Sequence, residues 1–152
     1  MIVKMEIKNS GKKLMYEDII AFEDDHNIKF TNLYTKFLLE NNGGDTGGNN
    51  IFKISDNQGE SVLDVFLGID FRHYDLGKDI NIYKGRMPNE FIPIACDPGG
   101  NIICLGIKNE YYEKFFFWDH ENENDDADMS NMYFLASNIY EFVSNLRKCP
   151  KS

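Results

Sequence analysis

Residues 87 to 107 constrain the fold more than any other part of this chain. They read Met-Pro-Asn-Glu-Phe-Ile-Pro-Ile-Ala-Cys-Asp-Pro-Gly-Gly-Asn-Ile-Ile-Cys-Leu-Gly-Ile. Two apolar runs flank the compact segment Asp97-Pro98-Gly99-Gly100. Proline presets φ for the first central position of a turn, and glycine accepts the positive φ a type II turn needs at the second. The flanks are too short for independent helices and rich in strand formers, so residues 91 to 96 and 101 to 107 are predicted to pair as a hairpin. If Asp97 pairs with Gly100, Cys96 opposes Asn101 and Cys104 opposes Pro93. An aromatic strand follows from about Tyr112 to Trp118, running straight into the polar pair Asp119-His120.

The rest of the chain supplies helices on either side of these strands. Residues 17 to 25 carry Ile19, Ile20 and Phe22 at a spacing that allows a short amphipathic helix. A second helix is predicted from about Thr31 to Asn41, with Phe30, Tyr34, Phe37 and Leu38 on one face. Thr31 or Asn32 is placed to cap it, and Asn42-Gly43-Gly44 to stop it. Residues 43 to 50 read as a flexible glycine-rich loop. It is no phosphate loop, because Gly-Lys-Ser/Thr is missing and no helix follows. Strands are predicted at Ile51 to Ile54 and Ser61 to Ile69, and residues 70 to 86 as irregular chain anchored by Tyr74 and Tyr83. A last helix is predicted from about Asn131 to Arg147, on the stripe Met132, Leu135, Ala136, Ile139, Phe142, Val143 and Leu146. Ser130 or Asp128 would cap its start, and Arg147 and Lys148 suit its negative end. Residues 1 to 15 read as a short strand or loose arm. This order predicts an α+β fold: an antiparallel sheet with N-terminal helices and a C-terminal helix packed on it.

Composition bounds what such a fold is for. A chain of 152 residues, 42% hydrophobic, fits one domain over residues 1–152 with a core of its own. The formal net charge is −9, which repels nucleic-acid phosphates and anionic lipid head groups, so neither nucleic acid nor membrane is expected as a partner. The charge reads either as plain solubility or as steering toward a basic partner, and nucleases are a common basic class. No window approaches the roughly 20 apolar residues of a membrane span, and the N-terminal stretch lacks the apolar run of a secretion signal. A cytoplasmic location is expected. The three cysteines, Cys96, Cys104 and Cys149, form no CxxC pair, and free thiols are the simplest account.

Four blocks of residues carry a family resemblance. The first is Phe30-Thr31-x-x-Tyr34-x-x-Phe37-Leu38 followed by Asn42-Gly43-Gly44. The second is Met87-Pro88-x-x-Phe91-Ile92-Pro93-Ile94-Ala95 with Asp97-x-Gly99-Gly100-Asn101. The third is Phe116-Phe117-Trp118-Asp119-His120-Glu121, and the fourth Ala136-x-Asn138-Ile139-x-Glu141-Phe142. In these blocks, from about Ile20 to Leu146, the chain resembles the SUKH superfamily, also called the SMI1/KNR4 family. Thr31 stands where the family usually has proline, losing a preset first turn but keeping a hydroxyl for capping. Asn138 and Ile139 stand in place of serine and phenylalanine. The resemblance implies a compact α+β domain without known catalytic activity or cofactor. Its bacterial members are typically immunity proteins that bind and neutralise a toxin, often a nuclease. Fungal relatives look like regulatory binding modules, the alternative role for this chain.

The remaining residues divide between architecture and contact. Trp118-Asp119-His120 with Glu121 invites a catalytic or metal-binding reading. It is opposed by the lack of a placed nucleophile and of ligand spacing among His26, His73 and His120, so no enzyme, metal or cofactor is expected. Trp118 is expected to pack, with Asp119 and His120 satisfying backbone groups where the strand ends. Asp97 and Asn101, around Gly99 and Gly100, are expected to bond turn amides. The acidic run Glu121, Glu123, Asp125, Asp126 and Asp128 lacks the glycine and closing glutamate of an EF-hand. It reads either as a solvated loop or as a decoy for a basic cleft. Tyr74, Tyr83, Tyr111 and Tyr112 lie in or near loops and are candidates for partner contact, since tyrosine brings area and a polar tip at small entropy cost. The predicted partner is a cognate, basic toxin, bound by a monomer or weak dimer.

Overall fold

Strict alternation along one aromatic strand sets the layering. Phe115 and Phe117 join the larger apolar cluster, while Phe116 and Trp118 join a smaller one. Successive strand residues point to opposite faces, so this strand is buried on both sides and must lie inside a sheet. A computed structural model describes residues 5 to 149. It contains a seven-stranded sheet in the order β6-β5-β4-β3-β2-β1-β7, each neighbouring pair antiparallel. The strands are β1 (Gly44–Ser55), β2 (Gly59–Phe66), β3 (Phe91–Cys96), β4 (Ile102–Gly106), β5 (Phe115–Trp118), β6 (Met132–Ala136) and β7 (Arg147–Lys148). The helices are α1 (Tyr16–His26), α2 (Asn32–Glu40), α3 (Leu76–Tyr83) and α4 (Ile139–Ser144). This is the predicted α+β arrangement, with N-terminal helices and a C-terminal helix packed on an antiparallel sheet.

Helices α1 and α2 form where the apolar spacing put them, but their ends are held differently. At the start of α1, Asp18 reaches back to accept the Met15 amide at 2.8 Å, and Asn27 ends the helix in the left-handed conformation. Thr31 precedes α2 without capping it; its hydroxyl is buried and unpartnered. The first-turn amides find distant acceptors instead. Asn32 donates to the Tyr112 hydroxyl at 3.2 Å and Leu33 to the Glu113 carboxylate at 2.9 Å. The loop between β4 and β5 therefore caps α2 from across the fold. Asn42 then joins three segments, donating to the carbonyls of Lys12 and Ile69 and accepting the Ile69 amide at 2.7 Å.

Four expectations need correction. Residues 43 to 50 are no loop but the first part of β1. Between Asp45↔Val65 and Asn50↔Leu63 the ladder bulges. The bulge is pinned by Thr46, whose hydroxyl bonds the Leu63 and Asp64 carbonyls, and Gly47 and Gly48 supply its positive φ. Residues 70 to 86 contain α3, capped by Asp75, which accepts the Lys78 amide at 3.0 Å. The predicted helix from Asn131 to Arg147 is a strand, a short helix and a strand. Met132 and Ala136 pair with Trp118 and Phe115 in the sheet, Asn138 caps α4, and Arg147 pairs with Ile51. In the hairpin, Gly100 rather than Gly99 takes the positive φ, at 90°. The Gly100 amide bonds the Asp97 carbonyl and the Asp97 amide the Asn101 carbonyl, the geometry of a turn closed by a one-residue glycine bulge. Cys96 consequently pairs with Ile102 rather than Asn101, while Cys104 does oppose Pro93. Of residues 1 to 15, the first four lie outside the described residues. In the remainder Lys8 forms an isolated bridge with Asp45.

Candidate functional site

The polar residues after the hairpin turn and after β5 form one joint. Asp97 is 6% exposed, and its carboxylate accepts the amides of Gly99 (3.0 Å) and Asn101 (2.8 Å), the Asn101 side-chain amide (2.9 Å) and the Ser61 hydroxyl (2.6 Å). Asn101, fixed in this way, accepts the backbone amide of His120 at 3.1 Å. The His120 ring lies against Gly100, and its Nε2 is buried without a partner. Asp119 closes the next turn, accepting the Glu121 amide at 3.0 Å and the Asn122 side chain at 2.5 Å. Asn131 donates to the Asp119 carbonyl at 2.9 Å, so the far end of the acidic segment returns to the end of β5. Trp118 is fully buried in the smaller cluster with Met87, Phe91, Ile102, Cys104, Phe116 and Met132.

The acidic segment is tethered in its middle as well. Arg86 forms a bidentate pair with Glu123, at 3.0 and 2.9 Å, and its guanidinium lies 4.8 Å from the Tyr83 ring centre and 5.6 Å from that of Trp118. A planar guanidinium does both at once, forked onto a carboxylate and stacked on rings, where lysine would do neither as well. Arg86 was not among the sequence-derived candidates. The signal for it was its position three residues after Tyr83, at the end of a helix that the sequence reading missed. Asp128 accepts both the amide and the hydroxyl of Ser130. Glu121, Asp125 and Asp126 are exposed and belong to no ion pair among the described residues.

The hydrogen bond and charge of Arg86 hold the Glu123 carboxyl below the usual glutamate range. A depressed folded-state pKa means that the pair stabilises the fold above the ordinary glutamate pKa, and that this contribution is lost as pH falls through the depressed value. In an NMR titration Glu123 is expected to titrate below the ordinary glutamate range. In Arg86→Ala it returns toward the ordinary value, and amides 121 to 126 exchange faster. An unchanged Glu123 midpoint in that variant would remove Arg86 as the anchor.

The tyrosine candidates separate by burial. Tyr74 and Tyr112 are 39% and 44% exposed, and Tyr112 uses its hydroxyl to cap α2. Tyr83 and Tyr111 are half-buried against the smaller cluster, Tyr111 with its ring 4.9 Å from that of Phe91. Phe134 is the aromatic that sequence reasoning passed over. It stands on β6, the strand that leaves the acidic segment, is 50% exposed, and packs edge-on against Phe116. Burial pushes the Cys96 thiol up to about 11, with Asp64 adding to it, and pushes the Cys104 thiol up as well. Both sulfurs stay protonated at neutral pH and are poor nucleophiles. Among the described residues no group of three or more His, Cys, Asp or Glu side chains is placed to hold a metal ion, and no helix is long and apolar enough to cross a membrane.

These features define an α+β domain in which a buried polar joint fastens a hairpin turn to an exposed acidic segment. The chain belongs to the SMI1 / KNR4 family (SUKH-1), whose model matches residues 15–145. It is similar to the SPbeta prophage-derived uncharacterized protein YokK of Bacillus subtilis (strain 168), with 40% identity over 85 residues. The aligned stretch is 56% of this chain and 41% of that relative, so less than half the relative's length is spanned.

Proposed function

We propose that this protein is an immunity protein, a stoichiometric inhibitor that binds a cognate bacterial toxin in the cytoplasm, acting as a monomer or weak dimer. Membership of a family of protein–protein interaction modules supports the binding role. One observation carries the finer reading. The acidic segment is anchored at its start by Asp119, in its middle by the Arg86–Glu123 pair and at its end by Asn131, yet presents Glu121, Asp125 and Asp126 to solvent. A loop meant only for solubility gains nothing from being fixed at three points. A pre-ordered set of carboxylates binds a basic cleft with less loss of chain entropy. Phe134 beside it offers an aromatic anchor of the kind that dominates interface energies. The complementary partner is a basic domain, for which a nuclease is the leading class.

The test is association kinetics with any toxin-like protein found encoded beside this gene. Glu121→Gln, Asp125→Asn and Asp126→Asn together leave the Arg86–Glu123 anchor intact. They are expected to slow association by about tenfold or more at low salt and to flatten its salt dependence, because exposed charges are screened over about 8–10 Å at physiological ionic strength. An unchanged on-rate removes the segment from the interface. Failure to bind any neighbouring toxin, with the protein folded, overturns the immunity reading.

A further inference from the structure

One cleft departs from the rest of the surface in its charge. It lies where the C-terminal end of α1, the end of α3 and the start of β3 meet, and encloses about 250 Å³. Buried apolar side chains, Ile80, Met87, Phe91 and Ile92, form part of its wall beside Asn27, Asn81 and Asn89. The charged side chains among its lining residues are Lys84 and Lys108, joined by the titratable His26 and Tyr83. No aspartate or glutamate lines it, although the chain carries 25 of them and a net charge of −9. Even the acids adjacent in sequence to lining residues, Asp25, Asp79 and Glu90, are not part of it. Lys84 and Lys108 are exposed and enter no ion pair among the described residues. His26 is fixed at the cleft by its neighbours. Its ring centre lies 4.2 Å from that of Phe22, and Gly77 leaves it room, since a Cβ there would come within 2.9 Å of Nε2.

A wall with an apolar part beside two unpaired ammonium groups favours a ligand with one apolar end and one negative end. Concave low-dielectric walls strengthen that charge preference. We propose that this cleft binds a small organic anion: a carboxylate carried on an apolar body of about one aromatic ring. The ring lies on Met87 and Phe91, and the carboxylate is taken by Lys84 and Lys108 at the rim. The assignment is independent of the toxin-binding reading, which uses the acidic segment.

Two isosteric probes of opposite charge test it on the full chain. In ¹⁵N-resolved titrations, 3-phenylpropionate is expected to shift amides 26 to 28, 80 to 92 and 107 to 108, with other regions unmoved. 3-Phenylpropylamine keeps the ring and linker, reverses the charge, and is expected to bind at least about tenfold more weakly. Lys84→Glu with Lys108→Glu should invert that preference. Both lysines are exposed, so the variant's spectrum away from the cleft reports whether the fold is intact. If it is not, the acid–amine contrast on the unaltered protein decides alone. Equal affinity for the two probes, shifts located elsewhere, or no shift with the acid up to about 10 mM would overturn the proposal.

Discussion

Replacing Gly106 by alanine is expected to destabilise this protein by about 3 kcal/mol or more, a fall in melting temperature of about 6–12 °C for a chain of this size. The reason is backbone, not side chain. Gly106 ends β4, and residues 107 to 113 fold back over it before β5 begins. A Cβ at Gly106 would overlap the Tyr111 carbonyl oxygen and come within 2.6 Å of its carbon. No rotamer change relieves a clash with main chain, so the loop must lift. Lifting it costs three things at once. The Gly106 and Lys114 backbone pair is lost, Tyr111 leaves the ring cluster with Phe91 and Phe116, and Tyr112 and Glu113 withdraw from the first-turn amides of α2. Gly85→Ala is the control. Its φ of 82° also disfavours a side chain, but nothing lies within 4 Å, so about 1 kcal/mol is expected. Chemical denaturation of the two variants checks the contrast; equal losses would show that the loop accommodates the methyl group.

That loop also shows where sequence could and could not be read. The apolar runs of β3, β4 and β5 have a single local solution, and their order was legible because each strand is buried on both faces. The helices α1 and α2 were legible from their apolar steps. What failed were places where a distant partner decides. Thr31 has the hydroxyl of a cap, yet its helix is capped by Tyr112 and Glu113, 80 residues away, which no local pattern encodes. The stripe from Met132 to Leu146 satisfies a helical period, but the open edge of β5 recruits its first part as a strand. Ser137-Asn138 was the local warning, since asparagine there caps a new helix. Helix α3 was missed although Leu76, Ile80 and Tyr83 follow a helical step behind the capping Asp75. With it went Arg86. In the candidate site, the residue types of the joint were visible in the sequence, but not that Asp97 would reach Ser61 on β2 or that Asn101 would hold His120.

Removing the Asp97 carboxylate is expected to have an effect as large as the Gly106 substitution, by a different route. Asp97→Ala deletes the acceptor of four hydrogen bonds in a nearly water-free place and strands two backbone amides and the Asn101 side chain. Bonds to a charged acceptor contribute about 1.5–3 kcal/mol each when removed singly, but these share one group and do not add. A loss of about 3–4 kcal/mol is expected, larger than any exposed ion pair could produce. Asp97→Asn separates charge from shape. Its remaining oxygen can keep the Gly99 and Asn101 amides, and its new amide can donate to Ser61, but that amide then faces the Asn101 amide, donor against donor. An intermediate loss of about 1–2 kcal/mol follows. The joint makes a second, spatial prediction. Because Asn101 holds the His120 amide, hydrogen exchange in Asp97→Ala should quicken at residues 119 to 123 as well as at 99 to 101, beyond what global destabilisation gives to α1. If exchange rises equally everywhere, Asp97 holds only its own turn, and the acidic segment is ordered without it. If residues 119 to 123 respond together with the turn, the hairpin and the exposed carboxylates form one mechanical unit. The arrangement of those carboxylates would then be set by a buried aspartate in another turn.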